Sequence, residues 1–102
     1  MSKSVLVALD ISGSINVKNA IKRGQELIRS MCPTAELYVK TFDMNVYDSS
    51  VLDLMQGNIQ GGGGTSIQGV LDIADDYDTV MVVTDGYFEV QVPEHIELHI
   101  VE

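Results

Sequence analysis

Two stretches of this chain are apolar without interruption: Val5-Leu6-Val7-Ala8-Leu9, which ends at Asp10, and Val80-Met81-Val82-Val83, which ends at Thr84-Asp85. Side chains in a strand point alternately to opposite faces, so an unbroken apolar run makes sense only where both faces are covered. That requirement points to a mostly parallel sheet with helices on both sides. With 102 residues, the chain is expected to form a single domain over 1–102, large enough to bury one core without cross-links.

The remaining periodicities fill in the pattern. Val17, Ala20, Ile21, Gly24, Leu27, Ile28 and Met31 recur at helical spacing between Asn16, a helix-capping residue type, and Pro33. They predict a helix over about 16–31, with Lys18, Lys22, Arg23 and Arg29 on its solvated outer face. Residues 35–42 alternate as a second strand, Asp43-Met44-Asn45 reads as a tight turn, and residues 46–51 read as a weak third strand antiparallel to the second. Thr65 or Ser66 can cap a helix over about 66–76, residues 79–84 form the fourth strand, and residues 96–101 the fifth. Right-handed crossovers then place the strands in the order 3-2-1-4-5, with strand 3 antiparallel and helices on both faces, a Rossmann-like three-layer α/β sandwich. Ligands of such sheets bind outside the carboxyl ends of the strands where the order reverses, here between strands 1 and 4.

Charge and cysteine content narrow the function classes. All six basic residues lie within residues 1–40, beside three acids, whereas residues 41–102 carry twelve acids and no base, for a net charge of −9. Such a chain lacks the basic face that nucleic acid or an anionic membrane requires. Cys32 is the only cysteine, so neither an intramolecular disulfide nor a cysteine-based zinc site is available, and a cytoplasmic location is expected. The apolar run near the N-terminus is five residues long, too short for a signal-peptide core or a membrane span.

Three polar segments converge on the predicted crevice: Asp10-Ile11-Ser12-Gly13-Ser14 after strand 1, Gly61 to Gly64 leading to Thr65, and Asp85-Gly86 after strand 4. Their donors, Asp10, Ser12, Ser14, Thr65 and Asp85, are all oxygens, the chemistry that hard divalent cations select. Alternate spacing in the first segment lets one curled loop aim three side chains at a point, and Gly13 permits the sharp turn. Gly63 and Gly64 allow the second loop to come close, Gly86 follows the last carboxylate, and Asp43 is a candidate for the rim of the crevice. The glycines are not a phosphate cradle, because no Gly-Lys-Ser/Thr follows them. Asp72, Asp75, Asp76 and Asp78 read as a solvated helix end without the spacing of a calcium-binding loop.

Together, Asp10-Ile11-Ser12-Gly13-Ser14, Thr65 and Thr84-Asp85-Gly86 resemble the metal-ion-dependent adhesion site of von Willebrand factor A (VWA) domains. The Gly-Gly-Gly-Gly-Thr run, the later Thr-Asp-Gly-Tyr and Phe42-Asp43 look most like a bacterial and phage branch, the VWA-like domain found behind metallopeptidase-like regions. The resemblance spans residues 5–101. It implies that Ser12, Ser14 and Thr65 coordinate the ion directly and that Asp10 and Asp85 hold it directly or through water. The implied ion is Mg²⁺ first, with Mn²⁺ or Ca²⁺ as alternatives. A carboxylate from a partner protein would complete the shell, so the implied activity is binding and not catalysis.

The chain departs from that family in two ways. It is shorter than typical A domains, and only ten residues, Gly86 to His95, join strands 4 and 5, too few for a packed crossover helix. One sheet face should therefore be thinly covered, inviting a second copy or a partner there or along the last edge strand. Ser66 also stands where an acidic residue often follows the threonine. Two other readings compete: a structural, oligomer-forming subunit with a vestigial metal site, and a phosphatase-like hydrolase. The hydrolase would need a second Asp where Ser12 stands and a Lys after residue 40, and the sequence has neither.

Overall fold

The structure, a computed structural model, describes residues 4–11, 17–30, 36–57, 59, 64, 66–84 and 94–100. Five strands form one sheet: β1 (Ser4–Asp10), β2 (Glu36–Phe42), β3 (Val46–Asp48), β4 (Thr79–Thr84) and β5 (Ile96–Ile100). Their order is β3-β2-β1-β4-β5. β1 pairs in parallel with β2 and β4, β4 pairs in parallel with β5, and β2 and β3 are antiparallel. The expected α/β architecture and strand order are thus present.

Both faces of the first apolar run are buried, and so is the second run except for Met81, which is partly exposed. Leu6, Ala8, Val80 and Val82 join Phe42, Ile67, Val70 and Ala74 in one core layer, beneath helix α3 (Gln68–Ile73) and the 3₁₀ turn Ala74–Asp76 that continues it. Val7, Leu9, Val39 and Val83 face the other way and pack with Ala20 of helix α1 (Val17–Ser30) and Leu54 of helix α2 (Val51–Gln56). Lys18, Lys22, Arg23 and Arg29 are exposed on α1, as the helical period predicts.

Helix α2 corrects the expectation of a strand running to Val51. β3 ends at Asp48 because Ser50 caps a helix: its Oγ accepts the Asp53 backbone N–H at 3.0 Å. Gly57 ends that helix in the left-handed conformation, φ 75°. From α1, Gln25 Nε2 donates to the carbonyls of Leu54 at 2.9 Å and Met55 at 3.3 Å, adding to the Gly57 N–H that Leu54 O already accepts at the end of the helix. Helix α3 also begins later than expected. Its first residue is Gln68, whose N–H reaches Ser66 Oγ at 3.4 Å. His99 is a further correction. Alternation along β5 predicts a solvent-facing ring, but His99 is half-buried and its Nε2 is shielded, with no hydrogen-bond partner among the described residues.

At the sheet edge, Lys40 and Asp48 form an ion pair across the β2–β3 ladder. The hydrogen bond from Lys40 holds the Asp48 carboxyl below its ordinary value of 3.8, and the same bond raises the Lys40 ammonium. A depressed carboxyl stabilises the fold above its unfolded value, and that contribution disappears as pH falls through the lower folded value. Asp48→Asn should therefore lower the melting temperature slightly at neutral pH, with the difference from wild type closing below pH 3.8.

Gly24 sets how closely α1 approaches the sheet. A Cβ there would lie 2.9 Å from Leu9 Cδ2 and 3.2 Å and 3.3 Å from the two methyls of Leu54. Alanine is the better helix former by about 1 kcal/mol, yet Gly24→Ala should destabilise the protein by about 1–2 kcal/mol in urea unfolding, because the overlap exceeds that gain. A more stable variant would mean that the close packing is wrong.

Candidate functional site

Asp10 is the last residue of β1 and is fully buried. On the adjacent strand, Thr84 is the last residue of β4 and is also fully buried. Thr84 Oγ1 donates to Asp10 Oδ2 at 2.7 Å. The parallel register, which pairs Leu9 with Val83, brings these two strand ends together. They mark the point between β1 and β4 where strand order reverses. A carboxylate taken from water costs several kcal/mol unless something compensates its charge. The Thr84 hydroxyl supplies one contact to that carboxylate, at Oδ2.

The chain beyond β1 stays on the sheet for one more residue, since Ile11 N–H donates to Phe42 O at 2.8 Å. Ser12, Gly13, Ser14, Gly63, Thr65, Asp85 and Gly86 lie outside the described residues. The residues flanking Thr65 in sequence are described, and both meet the β2–β3 turn. Ser66 N–H donates to Asp43 O at 2.9 Å. A Cβ on Gly64 would lie 3.0 Å from Met44 Sδ and 3.1 Å from its Cγ, so glycine permits this approach. Asp43 is itself anchored in the turn: its N–H donates to Asn45 O, and its Oδ1 accepts Asn45 N–H at 3.0 Å. The described structure therefore brings together Asp10 and Thr84, and it ties the end of the glycine segment to the neighbouring strand end.

Among the described residues, no three His, Cys, Asp or Glu side chains gather to hold an ion. The expected donor set contains only two carboxylates, and of its five members Asp10 alone is described. The chemistry of that set, oxygen throughout, with a buried carboxylate at the switch point, fits a hard divalent cation. Thr84 belongs to the Thr84-Asp85-Gly86 segment but was not among the expected donors. Its signal in the sequence is a hydroxyl that directly follows Val80-Met81-Val82-Val83. A separate groove of about 280 Å³ runs between Leu37–Lys40 and Asp48–Val51, at the β2 edge. It contains the Lys40–Asp48 pair and none of the expected donors.

The Asp43 carboxylate supports the turn directly, which separates two roles for it. Asp43→Ala should cost about 1 kcal/mol of stability through the lost turn bond, whereas Asp43→Asn should retain most of it. Urea unfolding of the two variants measures the difference.

No protein-family model matches the chain, and no curated protein matches it in sequence. Among solved structures, it is similar to an aerotolerance-related membrane protein from Bacteroides fragilis, determined with multiple mutations to serines. The TM-score is 0.64 at 18% sequence identity, over 88% of this chain. The chain spans 57% of the length of that protein. At this identity the likeness concerns the fold alone, and the fold is VWA-like.

Proposed function

We propose that this chain is a divalent-metal-dependent protein-binding module. Asp10, Ser12, Ser14, Thr65 and Asp85 would hold Mg²⁺, or Mn²⁺ or Ca²⁺ in its place, in the manner of a metal-ion-dependent adhesion site. The observation that carries this reading is the fully buried Asp10 carboxylate at the β1–β4 switch point, fixed by a hydroxyl from the neighbouring strand. A carboxylate at a strand end beside the switch point is the kind of oxygen donor that a hard cation takes. The likeness to a VWA-like fold and the three sequence segments support the same reading.

The bound ion supplies a positive, Lewis-acidic point to which a carboxylate of a partner protein attaches. On a chain of net charge −9, acidic partners are otherwise repelled, and a divalent ion reverses the sign locally. The protein's own residues would present oxygens to the ion; no bond would be made or broken. The proposal includes a cytoplasmic location, supported by the lone cysteine. No helix among the described residues is long and apolar enough to cross a membrane.

The half-buried His99 ring, whose Nε2 has no partner among the described residues, favours a second reading, an oligomer-forming subunit. His99 pairs with Val83 on the α1 side of the sheet, where Met81 and Glu97 are also partly or fully exposed.

Calorimetric titration of the metal-stripped protein separates the two. Mg²⁺ or Mn²⁺ should bind one ion per chain and stabilise the fold by about 2.7 kcal/mol at a hundredfold excess over Kd. Asp10→Ala should abolish both effects and should also abolish retention of any partner that EDTA releases from the wild-type protein. Absence of heat and of any melting shift with both ions would leave the subunit reading in place.

A further inference from the structure

β5 is an outermost strand of the sheet, and among the described residues nothing pairs with its outer edge. Open edges are commonly blunted by lysine, proline or a bulge. Ile96-Glu97-Leu98-His99-Ile100 contains neither of those residues, and its register with β4 runs without interruption. Val80 N–H donates to His95 O at 3.0 Å. Alternation along the parallel ladder then directs the backbone groups of Glu97 and His99 towards β4 and those of Ile96, Leu98 and Ile100 outward. We propose that β5 pairs with β5 of a second copy of this chain, antiparallel and centred on Leu98, giving a two-fold dimer with one continuous sheet. The inference deepens the oligomer-forming reading above and rests on it; it needs no bound ion.

Chemical complementarity selects both the occupant and the register. With Leu98 opposite Leu98 of the second copy, Ile96 meets Ile100 and Glu97 meets His99, each twice by symmetry. The outward backbone groups of Ile96, Leu98 and Ile100 then form the hydrogen-bonded pairs. Glu97 and His99 fall on the intervening positions, where opposed side chains come closest. The exposed Glu97 carboxylate can accept an imidazole N–H there, a charge-assisted bond. Pairings centred on Glu97 or on His99 would instead oppose two carboxylates or two imidazoles. Leu98 and Ile100, partly exposed in the single chain, meet apolar residues of the second copy in the proposed register. The net charge of −9 opposes association in general, so the pairing depends on this local match.

Sedimentation equilibrium and amide hydrogen exchange of the full chain test this. Wild type should be dimeric at about 1 mM and dissociate towards monomer at about 10 µM. Over that range the N–H groups of Ile96, Leu98 and Ile100 should gain protection with concentration, while those of Glu97 and His99, directed at β4 in both states, should not. Glu97→Lys should raise the dimer dissociation constant by about tenfold or more, because the lost pair occurs twice. The same change makes the chain less negative, so association governed by net charge alone would tighten in this variant. Exchanging the two residues, Glu97→His with His99→Glu, re-forms the pair and should restore most of the loss. A dimer whose Ile96, Leu98 and Ile100 amides do not respond to concentration overturns the inference and leaves the oligomer-forming reading standing. A folded Glu97→Lys protein that dimerises as tightly as wild type does the same. Should the variants fail to fold, the exchange pattern of the wild type decides. Wild type that stays monomeric at about 1 mM overturns the oligomer-forming reading and this inference with it.

Discussion

The burial of β1 on both faces is the constraint on which the rest of the molecule depends. Leu6 and Ala8 face α3, and Val7 and Leu9 face α1 and α2, so the strand can exist only at the centre of a three-layer structure. Its neighbours β2 and β4 are held parallel to it, which places their carboxyl ends, and the chain segments leaving them, at one edge. The strand that is most completely removed from water ends in a carboxylate. Packing and candidate chemistry are therefore linked at Asp10: the same central position that stabilises β1 withdraws its last side chain from solvent and brings it against Thr84.

Close approach on each face depends on small residues. Gly24 admits Leu9 and Leu54 between α1 and the sheet, and on the opposite face Gly69 of α3 sits where a Cβ would be 2.6 Å from Val46 Cγ2. Charge is segregated in the same way. The exposed bases of α1 lie on one face, and the exposed acids Asp72, Asp75, Asp76 and Asp78 lie at the end of the helical segment on the other. Such charges act over about 8 Å at physiological salt, which favours a docking point whose sign is set locally.

Much of this architecture was legible in the sequence, for reasons that differ by element. β1 and β4 are readable because uninterrupted apolar runs have few uses, and α1 because fourteen residues give the helical period room to show. Helix α2 is six residues long, too short for periodicity, and Val46-Tyr47 before it are strong strand formers. Its signals were local: the Ser50-x-x-Asp53 spacing and Gly57. Alternation set His99 apart from Ile96 and Leu98 but placed its ring in solvent, where the structure has it half-buried. The Thr84–Asp10 bond was not legible: the expected order made β1 and β4 neighbours, but it did not give the register and side-chain placement that set Thr84 Oγ1 against Asp10 Oδ2. The donor segments could be read as a group only because the fold brings strand ends together.

The most direct measurement of the central claim is anomalous diffraction from crystals grown or soaked with Mn²⁺. The account predicts one strong peak beside the carboxyl ends of β1 and β4, next to the Asp10 side chain, with Thr84 still bonded to that carboxylate. Ordered strand ends with no peak there, or a peak confined to the acidic helix end at Asp72–Asp78, would contradict it.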